Sequence, residues 1–259
     1  MRIRVLAARA GLTWIRDGLR LFGRHPLSLI GSVAAGLLLV GLPSTLPLVG
    51  PVIGAVLAPI ASLGLIAACR SADADRIPSL AVYAEGLRDA RTRRQLLTLG
   101  AINALIVLVL YAIVQATGMD QAIRIVLGPN QQPTIQAHPG LLALRLALSA
   151  PVLMAMWMAP PLVGWQHVPA LKAMFFSFFA CWRNRWPLLA FVCGIVGGGV
   201  LATALVTAVA ILLVPGSSSL MAYLIAPLSL ALLAVAQCGV FRMYTQIIED
   251  IPGDPAAPA

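Results

Sequence analysis

Residues able to ligate metals or transfer protons are scarce in this chain of 259 residues, and their spacing matches no established catalytic motif. The three histidines, His25, His138 and His167, lie far apart, and no HExxH zinc motif is present. The GxSxG and GxxxxGKS/T patterns do not occur in a catalytic context. No CxxC pair joins the four cysteines, which are expected to act as small buried apolar residues. We therefore expect no enzymatic activity, no bound metal and no cofactor.

Charged side chains avoid the apolar runs of the chain. All nine acidic residues lie outside them, whereas an ion-coupled carrier ordinarily places an ionisable residue at membrane depth. Arg145 is the exception among the cations, about five residues or roughly 7–8 Å from the end of its run. An arginine at that depth can snorkel to the membrane surface. We interpret Arg145 as an anchoring residue, with anion binding as the alternative.

Two acid–arginine pairs recur with a spacing of three residues: Asp17 with Arg20, and Glu85 with Arg88. Residues three apart share a helix face, so each pair is expected to form a local ion pair worth only ~0.3–0.5 kcal/mol. Arg183 and Asn184 stand at the corresponding place before the third pair of apolar runs. These six residues are the candidate contacts for lipid headgroups or a partner protein.

Arginine and lysine are distributed unevenly among the gaps between the apolar runs. The chain is 60% hydrophobic and 10% charged, too apolar for a soluble domain of this length. Of its eighteen Lys and Arg residues, all except Arg124 and Arg145 fall in alternate gaps. Because short Lys/Arg-rich loops stay in the cytoplasm, the pattern predicts a multi-pass protein of the bacterial inner membrane with both termini cytoplasmic. The net charge of +9 then indicates attraction to anionic lipid headgroups, and no nucleic-acid binding is expected.

The apolar runs predict an all-α integral membrane protein with a single domain, residues 1–248. A basic amphipathic stretch, 5–24, is expected to lie as a helix in the cytoplasmic interface. The acidic, Pro-rich tail 249–259 has no apolar face to bury and is predicted to be disordered. The six predicted transmembrane helices are 27–46, 50–69, 95–117, 140–164, 187–214 and 220–241.

Two further short helices are expected outside the spans. One runs in the cytoplasm from Ser79 to about Arg91, with Ser79 as its N-cap. The other covers 119–127 at the outer surface, supported by Asp120 and Arg124 at a spacing of four. An irregular loop is expected from Gly128 to Pro139.

The same order of elements recurs three times, which suggests three repeated hairpins. In each, an interfacial helix and an arginine cluster precede an odd span, a turn and an even span. Each even span contains an Ala-Pro step, at 58–59, 159–160 and 226–227. Proline removes a backbone donor and kinks a helix, which is tolerated where a neighbouring helix or a cavity covers the break.

Small residues are expected to bring helices close together within the membrane. Gly50, Gly54, Ala58 and Ser62 form a ridge at four-residue spacing in the second span, and the glycine-rich stretch 194–199 lies in the fifth. Asn103, Gln115 and Gln237 are expected to donate or accept hydrogen bonds between helices.

Four segments resemble a family of proteobacterial six-span inner-membrane proteins of unknown function, known from Burkholderia. They are DGLRLF (17–22), AACR (67–70), MAP (158–160) and SFFACWRN (177–184). These segments are packing and interface motifs. The resemblance therefore implies a fold and a membrane location but no activity.

The expected function is a non-catalytic scaffold, assembly or lipid-organising role in the inner membrane. The alternative is a transporter or permeation pathway for a lipid or small amphiphile, using the kinked even helices around a central cavity. A polar cavity between spans two, four and six would favour the transporter, and a filled core would favour the scaffold. Expected partners are membrane lipids, including anionic headgroups, and a protein partner or a second copy of the chain.

Overall fold

In the computed structural model the chain is described over residues 2–47, 49–127, 133–213 and 218–249. Helices make up most of these ranges, joined by two short antiparallel strand pairs. The helices are α1 Ala10–Phe22, α2 Pro26–Ser44, α3 Gly50–Asp73, α4 Val82–Arg88, α5 Ala90–Thr117, α6 Pro139–Trp157, α7 Ala159–Gln166, α8 Ala170–Arg183, α9 Arg185–Leu213 and α10 Ser218–Ile247. The strands are β1 Arg2–Ile3, β2 Ile123–Leu127, β3 Pro133–Ala137 and β4 Ile248–Glu249.

Six helical stretches within the described ranges are long and apolar enough to cross a membrane: α2, α3, α5, α6 with α7, α9, and α10. Their ends follow local signals in the sequence. Prolines occupy the first turn of α2, α3 and α6, where a backbone N–H needs no partner inside the helix. The Asp89 carboxylate caps α5 by accepting a hydrogen bond from the Thr92 N–H at 2.7 Å, and this bond lowers the pKa of Asp89. The predicted all-α membrane fold with six transmembrane helices is confirmed.

One end of the bundle carries α1, α4 and α8 together with the adjoining helix termini, and we call it the basic end. Three spanning helices extend past their predicted limits there. α3 continues to Asp73, α5 already begins at Ala90, and α10 continues to Ile247. A helix can leave the hydrocarbon without losing its internal hydrogen bonds, so hydropathy alone marks the apolar part of each helix and not its end.

The outer surface helix predicted over 119–127 is wrong beyond its first turn. Gly118 ends α5 in the left-handed region at φ +68°, and Met119–Ala122 forms a short 3₁₀-helix. β2 then pairs with β3, in a register that places Ile125 opposite Ile135. The β-branched residues of β2 favour a strand over a helix, and β3 replaces part of the predicted irregular loop. The proposed contact of Asp120 with Arg124 falls outside the described side chains.

The two chain ends meet at the basic end. β1 pairs antiparallel with β4, with Ile3 opposite Ile248, and the Arg4 N–H donates to the Ile247 carbonyl at 3.0 Å. The predicted interfacial helix 5–24 therefore begins only at Ala10, because the residues before it extend toward the C-terminal strand. Of the tail predicted to be disordered, Glu249 closes β4, and 250–259 lie outside the described residues.

α1, α4 and α8 occupy comparable places at the basic end. α4 packs on α3 and α8 packs on α6 and α7, so each covers the even span of the preceding hairpin. α1 packs on α9 and α10, the last hairpin. Buried positions of α1 and α8 share a spacing of three, four and three residues: Gly11, Trp14, Gly18 and Leu21, and Ala170, Ala173, Ser177 and Ala180, with Cys181 also buried in α8. This shared packing supports the hypothesis of a repeated hairpin.

Close packing is concentrated at the basic end. Trp14 of α1 is completely buried, and its indole N–H donates to the Gln246 side chain at 2.8 Å. In the glycine-rich stretch of α9, Gly194 contacts Ile15, but Gly197 and Gly198 have no neighbour within 4 Å of a side-chain position. The predicted packing role of 194–199 therefore applies at Gly194 and at Gly199, where a side-chain position lies 3.7 Å from Leu232, but not at Gly197 and Gly198.

The small-residue ridge of α3 meets two different environments. Gly50 and Gly54 approach the last turn of α2, where a Cβ at Gly54 would overlap the Ser44 hydroxyl and lie 3.0 Å from the Val40 carbonyl oxygen. Ala58 and Ser62 instead line a cavity. At roughly 100° per residue, positions four apart drift about 40° around the helix, so the ridge cannot follow one neighbour for three turns. Only the first half of the ridge, Gly50 and Gly54, forms the interface with α2.

Gly54→Leu should therefore lower the thermal stability of the purified protein in detergent. Overpacking a helix contact typically costs about 1–3 kcal/mol. Gly41→Leu is the matched control, because no atom lies within 4 Å of a side-chain position at Gly41. Equal unfolding temperatures for the two variants would contradict the α2–α3 interface.

Candidate functional site

Arg70, near the basic end of α3, holds two other elements in place. Its guanidinium forms an ion pair with Glu85 of α4 and stacks over the ring of Trp165 of α7, 4.4 Å from the ring centroid. Trp165 in turn contacts Tyr244 of α10 edge to face, with centroids 5.4 Å apart. The ion pair of Glu85 is thus with Arg70 rather than with Arg88 as predicted, because α4 packs against α3.

Beside Arg70 the segment between α3 and α4 lines an open surface pocket of about 420 Å³, which we call the α3–α4 pocket. It is lined by Arg70, Ser71, Arg76, Ile77, Ser79, Ala81, Val82, Glu85 and Arg88. Three guanidinium groups face one carboxylate here, which leaves an excess positive charge. Arg76 and Arg88 are exposed and have no ion-pair partner within the described part of the chain. The pocket can therefore accept an anion.

The α3–α4 pocket is fixed by groups on both sides. The Asp73 carboxylate accepts two hydrogen bonds from Arg242 of α10, at 2.5 and 3.1 Å, and lies 3.9 Å from Arg24. The Tyr83 hydroxyl donates to the Ser32 carbonyl of α2 at 2.6 Å, and burial raises the pKa of Tyr83 to about 12. Asp73 and Glu85 are thus both engaged in pairs that join helices, and Asp75, which precedes Arg76, lies 4.0 Å from Arg24.

The other candidate contacts lie apart from this pocket. Asp17 pairs with Arg20 at 3.8 Å, as predicted, and with Arg16 at 3.3 Å, on the α1 helix that packs against α9 and α10. Arg183 is exposed at the end of α8. The six predicted residues therefore do not form one site. Sequence reasoning selected Glu85 and Arg88 but missed Arg70 and Arg76, whose only signal was membership of the arginine-rich gap.

Asn184 was wrongly predicted to contact lipid or a partner. It is completely buried, and its side-chain amide joins the N-terminal segment to α8. The amide oxygen accepts from the Leu6 N–H at 2.9 Å, and the amide nitrogen donates to the carbonyls of Arg4 and Ala180 at 2.9 and 3.0 Å. Asn184 therefore acts as a structural link between distant segments.

Two breaks in the even spans are bridged by side chains from neighbouring helices. Pro59 of α3 has no N–H to offer to the Ala55 carbonyl, and Asn103 of α5 donates to that carbonyl at 2.8 Å. Asn103 is thus the interhelical partner that was predicted.

The second bridge lies where α6 ends and α7 begins. The Ser177 hydroxyl of α8 donates to the Met154 carbonyl at 2.7 Å and accepts from the Met158 N–H at 2.9 Å. It thereby replaces a direct helical bond between these two groups. Each break is satisfied within the protein, as backbone in a lipid environment requires.

Between these breaks lies a second space of about 290 Å³, which we call the central cavity. Its lining residues are Ala58, Pro59, Ser62, Asn103, Leu153, Met156, Trp157, Pro160, Gln237 and Val240. They come from α3, α5, α6, α7 and α10, and hence from spans two, three, four and six. None of them carries a charge.

The remaining candidate groups lie elsewhere. Arg145 is exposed on α6 outside the central cavity, and its anchoring role stays a prediction. Cys69, Cys181 and Cys238 are buried, and burial raises the pKa of the Cys181 thiol to about 12. Cys193 is exposed, contrary to expectation. Within the described ranges no three His, Cys, Asp or Glu residues are grouped to hold a metal ion.

Over its full length the chain is similar to a Burkholderia thailandensis protein named as a probable inner membrane protein. The two are 29% identical over 272 aligned positions, which cover 100% of this chain and 98% of that protein. No family model matches the chain, and no solved structure matches it. The likeness and the six apolar helices of the described chain confirm the resemblance drawn from the sequence and a multi-pass inner-membrane protein.

Asn103→Leu should destabilise the protein by about 1 kcal/mol, because the Ala55 carbonyl loses its donor within the membrane. In a Pro59→Ala background the same substitution should cost less, since the restored N–H of residue 59 can bond to Ala55. The measurement is a double-mutant cycle of unfolding free energies in mixed micelles. Equal costs of Asn103→Leu in both backgrounds would show that Asn103 does not compensate for Pro59.

Proposed function

We propose that this protein is a non-catalytic inner-membrane protein that organises anionic lipids in the cytoplasmic leaflet. The basic end faces the cytoplasm in this proposal. The distribution of Lys and Arg supports this orientation, since loops rich in these residues are retained on the cytoplasmic side. The cytoplasmic leaflet is also where anionic headgroups attract basic segments, at about 1 kcal/mol per cation near the surface.

The α3–α4 pocket is the observation that carries the proposal. Arg70 follows directly on the predicted second span, which ends at residue 69, so the pocket lies at the level of the headgroups. Arg76 and Arg88 have their guanidinium groups unpaired within the described chain, with Ser71 and Ser79 beside them. Guanidinium forks bind phosphate oxygens with two parallel hydrogen bonds, and serine hydroxyls can donate a further one. The lining thus fits a lipid phosphate.

The ion pairs around the α3–α4 pocket favour binding of an anion at a defined site over a general attraction of anions to the basic surface. Glu85 is engaged by Arg70, and Asp73 by Arg242, so neither acid is free to neutralise Arg76 or Arg88. An anion entering the pocket therefore meets positive charge already in place. This preorganisation separates the α3–α4 pocket from the exposed arginines on the first turn of α5.

A scaffold or assembly role with a protein partner or a second copy of the chain is compatible with lipid binding at this end. Exposed aromatic residues of α8 and α9, including Phe175, Trp182 and Trp186, stand beside Arg183 and Arg185. Aromatic and cationic side chains together are typical of the membrane interface. We therefore assign this belt to the lipid surface.

The second candidate function is a transporter or permeation pathway for a lipid or small amphiphile. The central cavity favours it, because it lies between spans two, three, four and six and includes polar side chains from four helices. Against it stands the absence of charge among the cavity residues, since coupled carriers place ionisable groups at the coupling site. Lipid organisation at the basic end remains the proposed function.

The orientation is tested in intact cells with variants that carry one cysteine in an otherwise cysteine-free protein. Cysteines at positions 46 and 138 should react with an impermeant maleimide from outside. Cysteines at positions 76 and 91 should react only after permeabilisation. External labelling at position 76 would reverse the orientation.

Replacing Arg76 and Arg88 together by Gln should weaken binding of phosphatidylglycerol by roughly tenfold or more, because two cations each contribute about 1 kcal/mol. Native mass spectrometry of the purified protein, titrated with phosphatidylglycerol or phosphatidylcholine, measures this loss. The matched control is Arg91→Gln with Arg94→Gln, which removes the same charge from exposed positions on α5. An equal loss in the control, or equal binding of phosphatidylcholine by wild type, would contradict a specific headgroup site.

A further inference from the structure

We infer that the central cavity is a binding site for an uncharged amphiphile that carries a hydrogen-bond acceptor, such as the ester carbonyl of a neutral lipid. The cavity lies at membrane depth. At 1.5 Å per residue, Ser62 is about 18 Å along α3 from its start at Gly50, close to the middle of a hydrocarbon core about 30 Å thick. Gln237 reaches the same space from α10.

Polar groups without protein partners face this cavity. The Trp157 indole nitrogen is buried and makes no hydrogen bond. Within the described part of the chain, the Ser62 hydroxyl and the Gln237 amide likewise have no hydrogen-bond partner. Leaving a polar group unsatisfied away from water costs several kcal/mol in hydrocarbon, so the Ser62 and Gln237 groups around one space indicate an occupant that supplies partners, whereas the Trp157 nitrogen lies beneath the cavity surface.

Asn103 behaves differently from these three residues although it lines the same cavity. Its amide nitrogen is committed to the Ala55 carbonyl across the break at Pro59. The unpaired groups are therefore not needed to repair the backbone. The need for a donor to the Ala55 carbonyl explains why Asn103 is polar, but it does not explain why Trp157, Ser62 and Gln237 are.

The lining selects the chemistry of the occupant. No lining residue is ionisable, so a charged headgroup would have no counter-charge at a depth where charge is most costly. The Gln237 amide nitrogen and the Ser62 hydroxyl can each donate a hydrogen bond, so the occupant must present an acceptor to them. The remaining lining is apolar, with Ala58, Pro59 and Met156 among it, which suits an alkyl chain next to the acceptor.

Size and access agree with a lipid-like occupant. A volume of about 290 Å³ holds roughly ten groups of the size of a water molecule or a methylene. Leu153 lines the cavity but is 55% exposed, so the cavity reaches the lipid-facing surface of α6. An acyl chain can therefore extend from the cavity into the bilayer while its carbonyl stays near Ser62 and Gln237.

The test uses the full-length purified protein and a monoacylglycerol that carries a photoactivatable diazirine in its acyl chain. After illumination, crosslinked peptides are mapped by mass spectrometry. Crosslinks should concentrate on α3, α6 and α10 and should be displaced by excess unlabelled monoacylglycerol. Fatty acid, whose carboxylate is charged, should displace the probe poorly. Crosslinks spread over the outer surface, or equal displacement by fatty acid, would overturn the inference.

Variants separate the cavity from general adsorption to the membrane surface. Ala58→Phe fills the cavity and should lower crosslinking at least tenfold. Ala112→Phe adds the same ring at an exposed position of α5 and should leave crosslinking unchanged. Equal crosslinking in Ala58→Phe and Ala112→Phe would overturn the inference.

Ser62→Ala and Gln237→Leu remove donors without adding bulk, and each should weaken competition by unlabelled monoacylglycerol about three- to tenfold. These variants keep the test decisive if Ala58→Phe fails to fold. Unchanged competition in both would show that only water occupies the cavity. The site does not depend on the α3–α4 pocket, so Arg76→Gln with Arg88→Gln should leave crosslinking unchanged.

Discussion

The lack of water in the hydrocarbon core requires every backbone N–H and carbonyl there to find a partner within the protein. This requirement explains why the spans are helical and why the proline breaks appear where they do. The Ala55 carbonyl and the Met154–Met158 break are satisfied by Asn103 and Ser177, which come from other helices. Polar residues of the core such as Asn103 and Ser177 thus stabilise the fold. Polar groups that have no partner in the protein instead indicate where a ligand can bind.

The charged residues at the basic end fall into two similar groups: those in ion pairs that join helices, and those without a partner in the described chain. Asp73 is paired with Arg242 and Glu85 with Arg70; the first pair joins α3 to the distant helix α10, and the second joins the consecutive helices α3 and α4. Partly exposed pairs of this kind contribute little energy individually, but they determine how α3, α4 and α10 are arranged. Arg76 and Arg88, which have no ion-pair partner within the described chain, stand together in a pocket as a consequence of that arrangement.

Sequence reasoning anticipated local features better than contacts between distant segments. The pairing of Asp17 with Arg20 was predicted because both residues lie on one helix. The pairing of Glu85 was mispredicted because its partner, Arg70, lies on a different helix. Asn184 was mistaken for a surface contact, since nothing in its neighbourhood indicates that Leu6 and Arg4 fold back onto it. The strand pair of β2 and β3 was missed for the same reason: each strand needs the other.

The sequence by itself determined that this is a helical membrane protein with six spans, because twenty or so apolar residues without charge are stable only across a bilayer. The alternation of arginine-rich gaps predicts its orientation, since that signal depends on composition alone. Only the tertiary structure decided which cations remain unpaired and which polar groups face an open space. Those facts depend on helix packing, where the rotation of a helix by a few tens of degrees moves Ser62 from an interface to a cavity.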